Sequence, residues 1–257
     1  MTSGSSQEPA GGSSRAPAGL ARQLTLAAVL LTIGTGGTDV LALTRLGGVF
    51  ASVMTGNLVL LGLSAARTSA TQAGHAAVAI GGYILGVAAG ARLIALAPWR
   101  RRGTGRRAAG PEGWPAAVTA ALVLELVLLA VFAAGWELAG PHPAGAGQYL
   151  LLVTATVAMG IQSAAVRGFG RGEYATTYLT GTLTSLIAGL VTPGTRRWPG
   201  WRQPGALLAL AAGALINGIL VEHTPTAVPA VIIAPLCVVL ALRATARRRN
   251  RRPAPTP

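Results

Sequence analysis

The chain has 257 residues, 51% hydrophobic and only 11% charged, and its mean hydropathy is positive. Long uncharged runs on that background place it among membrane proteins and exclude an ordinary soluble domain. The net charge of +14 would suit nucleic acid, but all 21 basic residues are arginine, clustered in short loops and in the tail "RATARRRNRR". Basic clusters beside apolar spans read instead as topology signals and contacts to anionic lipid headgroups.

Residues 1–19 are rich in Gly, Ser, Ala and Pro and are expected to be disordered. The apolar run that follows is longer than a signal-peptide core and lacks a small-residue cleavage site, so it reads as a retained helix. Eight apolar stretches follow one another, near 20–43, 49–66, 73–97, 115–138, 148–168, 174–192, 204–222 and 226–243. Each is about the length a crossing needs, so arginine placement must decide between topologies. Eight crossings fail with either end inside: one choice exports the loop carrying Arg100, Arg101, Arg102, Arg106 and Arg107, the other exports Arg196, Arg197, Arg202 and the tail. Six crossings, with 49–66 and 174–192 entering the membrane without a net crossing, put both ends inside and misplace only Arg45 and Arg67. Seven crossings, with 49–66 spanning and the N-terminus outside, misplace Arg15, Arg22 and Arg67.

The two odd stretches align without gaps. "GGVFASVMTGNLVLLGLSAA" (47–66) lies on "GEYATTYLTGTLTSLIAGLV" (172–191), sharing Gly47/Gly172, Thr55/Thr180, Gly56/Gly181, Leu58/Leu183 and Leu61/Leu186, and "AAGA" recurs at 88–91 and 211–214. The fold expected is an all-α polytopic membrane protein. It has six net-crossing helices (seven as the alternative), broken or re-entrant segments near 49–66 and 174–192, and an internal two-fold repeat. One membrane domain covers 20–243, with halves 20–138 and 148–243, and 244–257 forms an Arg/Pro-rich cytoplasmic tail. Three crossings per half would invert the second half relative to the first, an architecture common in transporters.

Ionisable groups inside spans are costly, and they usually face a protein interior or a wet path. Asp39, the only aspartate, stands in "TIGTGGTDVLAL", as either a solute or proton site or a structural cap. Glu125, at the centre of "WPAAVTAALVLELVLLAVFAAGW", is too deep to snorkel, so it is either a proton-exchanging group or a helix-packing one. Arg92 is near enough to the loop to snorkel, the alternative being an ion pair with Asp39 or Glu125. Gly82, Gly86 and Gly90 make a small-xxx-small ridge suited to close helix packing. Cys237 is alone, and the three histidines, His75, His142 and His223, lie near helix ends. No Walker loop, HExxH, Cys/His cluster or GxSxG elbow occurs, so no enzyme, cofactor or metal is expected.

The motifs "TDVLALTRLGGVFASVMTGNLVLLG", "GIQSAAVRGFG" and "ATTYLTGTLTSL" occur in an order that resembles the YoaK-like family of bacterial inner-membrane proteins, a domain-of-unknown-function family, over about 20–243. Asp39 matches the family's acid on the first helix, and Gln162 and Arg167 match polar positions of a later motif, with Ser163 where Asn is common. The resemblance implies the bacterial cytoplasmic membrane and no known activity. From the residues themselves, the expectation is a small-solute transporter, proton-coupled through Glu125. Asp39, Thr55, Gly56, Asn57, Gln162, Thr180 and Gly181 would form its solute site. The alternatives are a non-transporting scaffold or regulatory subunit and, with less support, an intramembrane enzyme acting on lipid. The expected partners are the bilayer and its anionic headgroups and an unidentified solute.

Overall fold

The structure is a computed structural model, described here for residues 18–96, 116–168 and 202–250 and for positions 181, 183, 184 and 186–188. Among these residues every regular element is a helix. They are α1 (Ala18–Arg45), α2 (Met54–Ala66), α3 (Ala70–Leu96), α4 (Ala116–Ala139), α5 (Gly145–Arg167), α6 (Arg202–His223), a 3₁₀ turn (Pro225–Ala227) and α7 (Val228–Asn250). Six of them, all but α2, are long and apolar enough to cross a membrane. In lipid the backbone must satisfy itself, and a continuous helix does so. The threonines of α1 also turn inward: Thr32, Thr35 and Thr38 donate their hydroxyls to the carbonyls of Ala28, Leu31 and Gly34, at 2.7, 3.0 and 2.8 Å.

Glycine sets how the helices meet. On α3, Gly82 lies against Thr156 of α5, Gly86 against Val157 and Gly160, and Gly90 against Ile161 and Ala164. Both members of each contact advance along the chain together, so α3 and α5 run parallel. The ridge read in the sequence is the surface of this seam. A second seam joins α1 and α6, again parallel: Gly213 lies against Ile33, Gly36 against Leu210 and Ala214, and Gly37 against Asn217. At Gly36, Gly86, Gly160 and Gly213 an added Cβ would run into a backbone carbonyl oxygen of the neighbouring helix. Small residues are what permit such close backbone approach. Around the seams, α4 packs on α5 and α7 packs on α1, while α4 and α7 meet each other.

These contacts fix the directions of all six spans. The ends of α1, α4 and α6 gather on one face with the starts of α3, α5 and α7. There Gln148 reaches the carbonyl of Arg45, Trp136 Nε1 donates to Pro225 O, and Arg45 meets His142 and Glu222. On the opposite face Gly168, just past α5, lies against Val118 of α4 and Ile94 of α3, and Gln23 of α1 sits beside Arg243 of α7. The six helices long enough to cross therefore alternate in direction among the described residues, with Ala18 and Asn250 on the same side. α5 ends and α6 begins on that side too, and most of the stretch 174–192, expected to be re-entrant, lies outside the described residues.

α2 has 13 residues, about 20 Å of helix against a hydrocarbon core of about 30 Å. It follows a turn at Gly47 and Gly48, whose φ values of +99° and +71° suit glycine. It leads through Arg67–Ser69 into α3, on the face where α1 ended. The segment between α1 and α3 is re-entrant.

Candidate functional site

The polar groups of the re-entrant segment converge on its unwound start. Asp39, one and a half turns below the end of α1, is buried, and its two carboxylate oxygens accept from Ser52 N (2.7 Å) and Ser52 Oγ (2.6 Å). Asn57, on the first turn of α2, is fully buried. Its Oδ1 accepts from Phe50 N at 2.8 Å and its Nδ2 donates to Phe50 O at 2.7 Å. One side-chain amide thus pairs both polar groups of a single peptide residue, as a neighbouring strand would. Gly56 lies under the Phe50 ring, with a Cβ position 3.0–3.1 Å from two ring carbons. Asp39 and Asn57 between them hold residues 50–52, an irregular stretch of backbone that would otherwise present unpaired groups to an apolar surrounding.

The remaining residues of the expected solute site divide. Gln162 of α5 is buried and donates to Thr35 Oγ1 at 2.7 Å, one turn of α1 below Asp39. Thr55 is exposed on α2. Gly181 is helical and exposed with open space around it, and Thr180 lies outside the described residues. Asp39 lies on α1, Gln162 is bonded to α1 through Thr35, and Asn57 is bonded to the Phe50 backbone two residues from Ser52, while the described contacts do not join Gly181 to them. Glu125 stands apart on the inner face of α4, which also carries Ala121, Leu122, Leu129 and Phe132. It is 0% exposed, and neither carboxylate oxygen has a hydrogen-bond partner among the described residues. Arg92 is exposed near the end of α3, which is the snorkelling arrangement.

Three further polar features pair residues that no sequence spacing links. Asn217 of α6 donates to Gly37 O at 2.7 Å across the α1–α6 seam and keeps a buried Oδ1 without a partner among the described residues. Arg45 donates to Glu222 Oε1 (2.9 Å), to Val221 O (3.3 Å) and to His142 Nδ1 (3.2 Å). That pairing accounts for an arginine on the arginine-poor face, because its charge is matched by Glu222. Lastly, His75 joins α3 to α5 through Gln148. A glycine two residues from Asp39 marked the first of these feebly. Arg45 stands out in the sequence only as a misplaced arginine, and no spacing links it to Glu222 or His75 to Gln148.

Comparison with known proteins gives a family and a relative. A family model described as "Protein of unknown function (DUF1275)" matches residues 27–243. The "UPF0700 transmembrane protein YoaK" of Bacillus subtilis (strain 168) is 34% identical over 158 residues, 62% of this chain and 63% of that protein. The match therefore spans less than two thirds of the curated relative's length. No solved structure matches. The family match takes in Asp39, Asn57, Glu125 and both glycine seams, and the chain belongs to the DUF1275 family of membrane proteins of unknown function.

Proposed function

We propose that the protein is a proton-coupled transporter of a small solute in the bacterial cytoplasmic membrane, not an enzyme, with Glu125 as the proton-exchanging group. The observation that carries this reading is the Glu125 carboxyl, wholly buried at the middle of a spanning helix with no partner among the described residues. An acid at the centre of a span costs about 2.5–3.5 kcal/mol on insertion scales. A residue that only packs helices would be better served by Leu or Gln at that position. The solute site is placed at Asp39, Thr55, Gly56, Asn57 and Gln162, with Thr180 and Gly181 as counterparts in the second half. Binding there would exchange the internal bonds of Asp39 and Asn57 for bonds to solute.

The halves are proposed to be an inverted repeat. In support, exchanging α1, α3 and α4 for α5, α6 and α7 turns the α1–α6 seam into the α5–α3 seam. It turns the α1–α7 packing into α5–α4, and it reverses every direction. Two seams between opposite halves are natural surfaces for rocking. The face holding Ala18 and Asn250, where Arg22, Arg167, Arg247 and Arg248 lie, is assigned to the cytoplasm by the positive-inside rule. With Cys237 replaced by Ala, a cysteine at Ser69 is expected to label from outside the cell and one at Gly103 only after permeabilisation. Labelling of Ser69 solely from the cytoplasm would reverse the assignment.

In proteoliposomes screened against a solute panel, uptake driven by a pH gradient is expected to fall at least about tenfold in Glu125→Gln, as loss of a proton-relay acid predicts. Glu125→Leu should be equally inactive yet melt at a higher temperature, since an apolar residue replaces a buried acid. Unaltered uptake in both variants would sink the proposal. The rival reading, a non-transporting scaffold or regulatory subunit, is favoured by one observation: Asp39 and Asn57 already have their bonds within the chain. A stoichiometric partner on purification, with substitutions at these residues affecting stability alone, would support it.

A further inference from the structure

His75 is buried, 4% exposed, and its ring stacks on Tyr149 of α5 with centroids 4.3 Å apart and planes 7° from parallel. Gly47, at the mouth of the re-entrant segment, lies directly against the same ring. A chain of three polar contacts runs through it. Thr71 O is 2.9 Å from His75 Nδ1, His75 Nε2 is 3.0 Å from Gln148 Oε1, and Gln148 Nε2 is 2.9 Å from Arg45 O. Both ends of this chain are backbone carbonyls, which only accept. Three contacts therefore need three protons between them.

The glutamine amide can direct a proton into only one of its two contacts, whichever way it is turned. A neutral imidazole supplies one more, which makes two. Some contact would then set lone pair against lone pair at 3.0 Å or less. An imidazolium donates from both nitrogens and completes the count. We propose that His75 is a proton-binding site. Its imidazolium latches α3 to α5 and, through Gln148, to the end of α1 over the mouth of the re-entrant segment, and loss of the second proton releases that latch.

The ionisable surroundings are few. From α5 comes Tyr149, stacked on the ring. From α1 comes Arg45, reached through its carbonyl, while its guanidinium is engaged with Glu222 of α6 and His142 of the α4–α5 connection. Residues 46–66 contribute no ionisable side chain. Carbonyls at the end of α1 carry the negative end of the helix dipole, which favours a nearby cation. This inference stands whether or not the protein transports a solute.

The test is imidazole ¹⁵N NMR of the full chain in nanodiscs, in a His142→Gln/His223→Gln background that leaves His75 as the only histidine. Both replaced residues are exposed. Over about pH 5 to 8, the range in which histidine titrates, both ring nitrogens are expected to be protonated at the acid end. In Gln148→Leu, which removes the acceptor facing Nε2, the doubly protonated ring is expected to give way to a neutral tautomer at a pH where the unaltered chain still shows both ring nitrogens protonated. A single neutral tautomer across the whole range would overturn the proposal. So would a titration unmoved by Gln148→Leu.

Discussion

Leucine at Gly36 or at Gly86 is expected to prevent the bundle from assembling, with the helices themselves intact. At each position the first added carbon would run into a backbone carbonyl of the facing helix, Leu210 for Gly36 and Val157 for Gly86. A clashing side chain can rotate away, but a carbonyl inside a helix cannot, so the helices must separate along the seam. Overpacking a well-filled core costs about 1–3 kcal/mol when side chains can adjust, and here the loss should lie at or beyond the top of that range. Alanine at the same positions is expected to be milder but still damaging. Gly62, Gly81 and Gly218 serve as controls, because nothing lies within 4 Å of a Cβ built at any of them. Alanine there should be neutral or stabilising, by up to about 1 kcal/mol. Midpoints of thermal or SDS unfolding in micelles, read by helicity and by protease resistance, provide the comparison. Equal tolerance of alanine at Gly36 and Gly62 would mean that the α1–α6 seam is not as close as described.

Asn57→Ala is expected to be the most damaging single change within the re-entrant segment. It strands the N–H and the C=O of Phe50 together, and each buried polar group left unpaired costs about 1–3 kcal/mol. Asp39 gives a more informative contrast. Asp39→Ala removes the acceptor for both the amide and the hydroxyl of Ser52, so it should destabilise comparably. Asp39→Asn keeps the shape and one acceptor, and the Ser52 hydroxyl can rotate to accept from the new amide. Its melting temperature should therefore stay close to wild type. Stability retained in Asp39→Asn with transport lost would assign the charge to function and the hydrogen bonds to structure. Stability lost equally in Asn and Ala variants would instead show that the charge itself holds the loop.

Much of this architecture is legible in the sequence, because membrane physics acts on each segment locally. Span length reflects bilayer thickness, and the arginine clusters report sidedness through whole loops. Together they favour a topology in which 49–66 does not cross, with a crossing there as the alternative, and the 13-residue α2 agrees with the first. Gly82, Gly86 and Gly90 announced a seam because their four-residue spacing leaves a mark along one helix face. What escaped is whatever joins distant parts of the chain. Asn57 stands out in the sequence as a candidate site residue, but its partner, the backbone of Phe50, has no sequence signal. Asn217 and Gly37 are 180 positions apart. Arg45 looked like an exception to the charge rule, because only the folded bundle brings Glu222 beside it. His75 lies near a helix end as its sequence position indicates, and only the packing of α5 and Gly47 shows that it is buried.

The parallel seams also bear on how the chain is made. Each seam joins a helix of the first half to one of the second, so neither can close while only residues up to α4 have emerged. α1 and α3 must enter the bilayer with their glycine faces still uncovered, and they stay so until α5 and then α6 arrive. The first four helices are therefore not a unit that folds before the rest arrive. The two halves interlock, and the last helices synthesised complete the surfaces of the first.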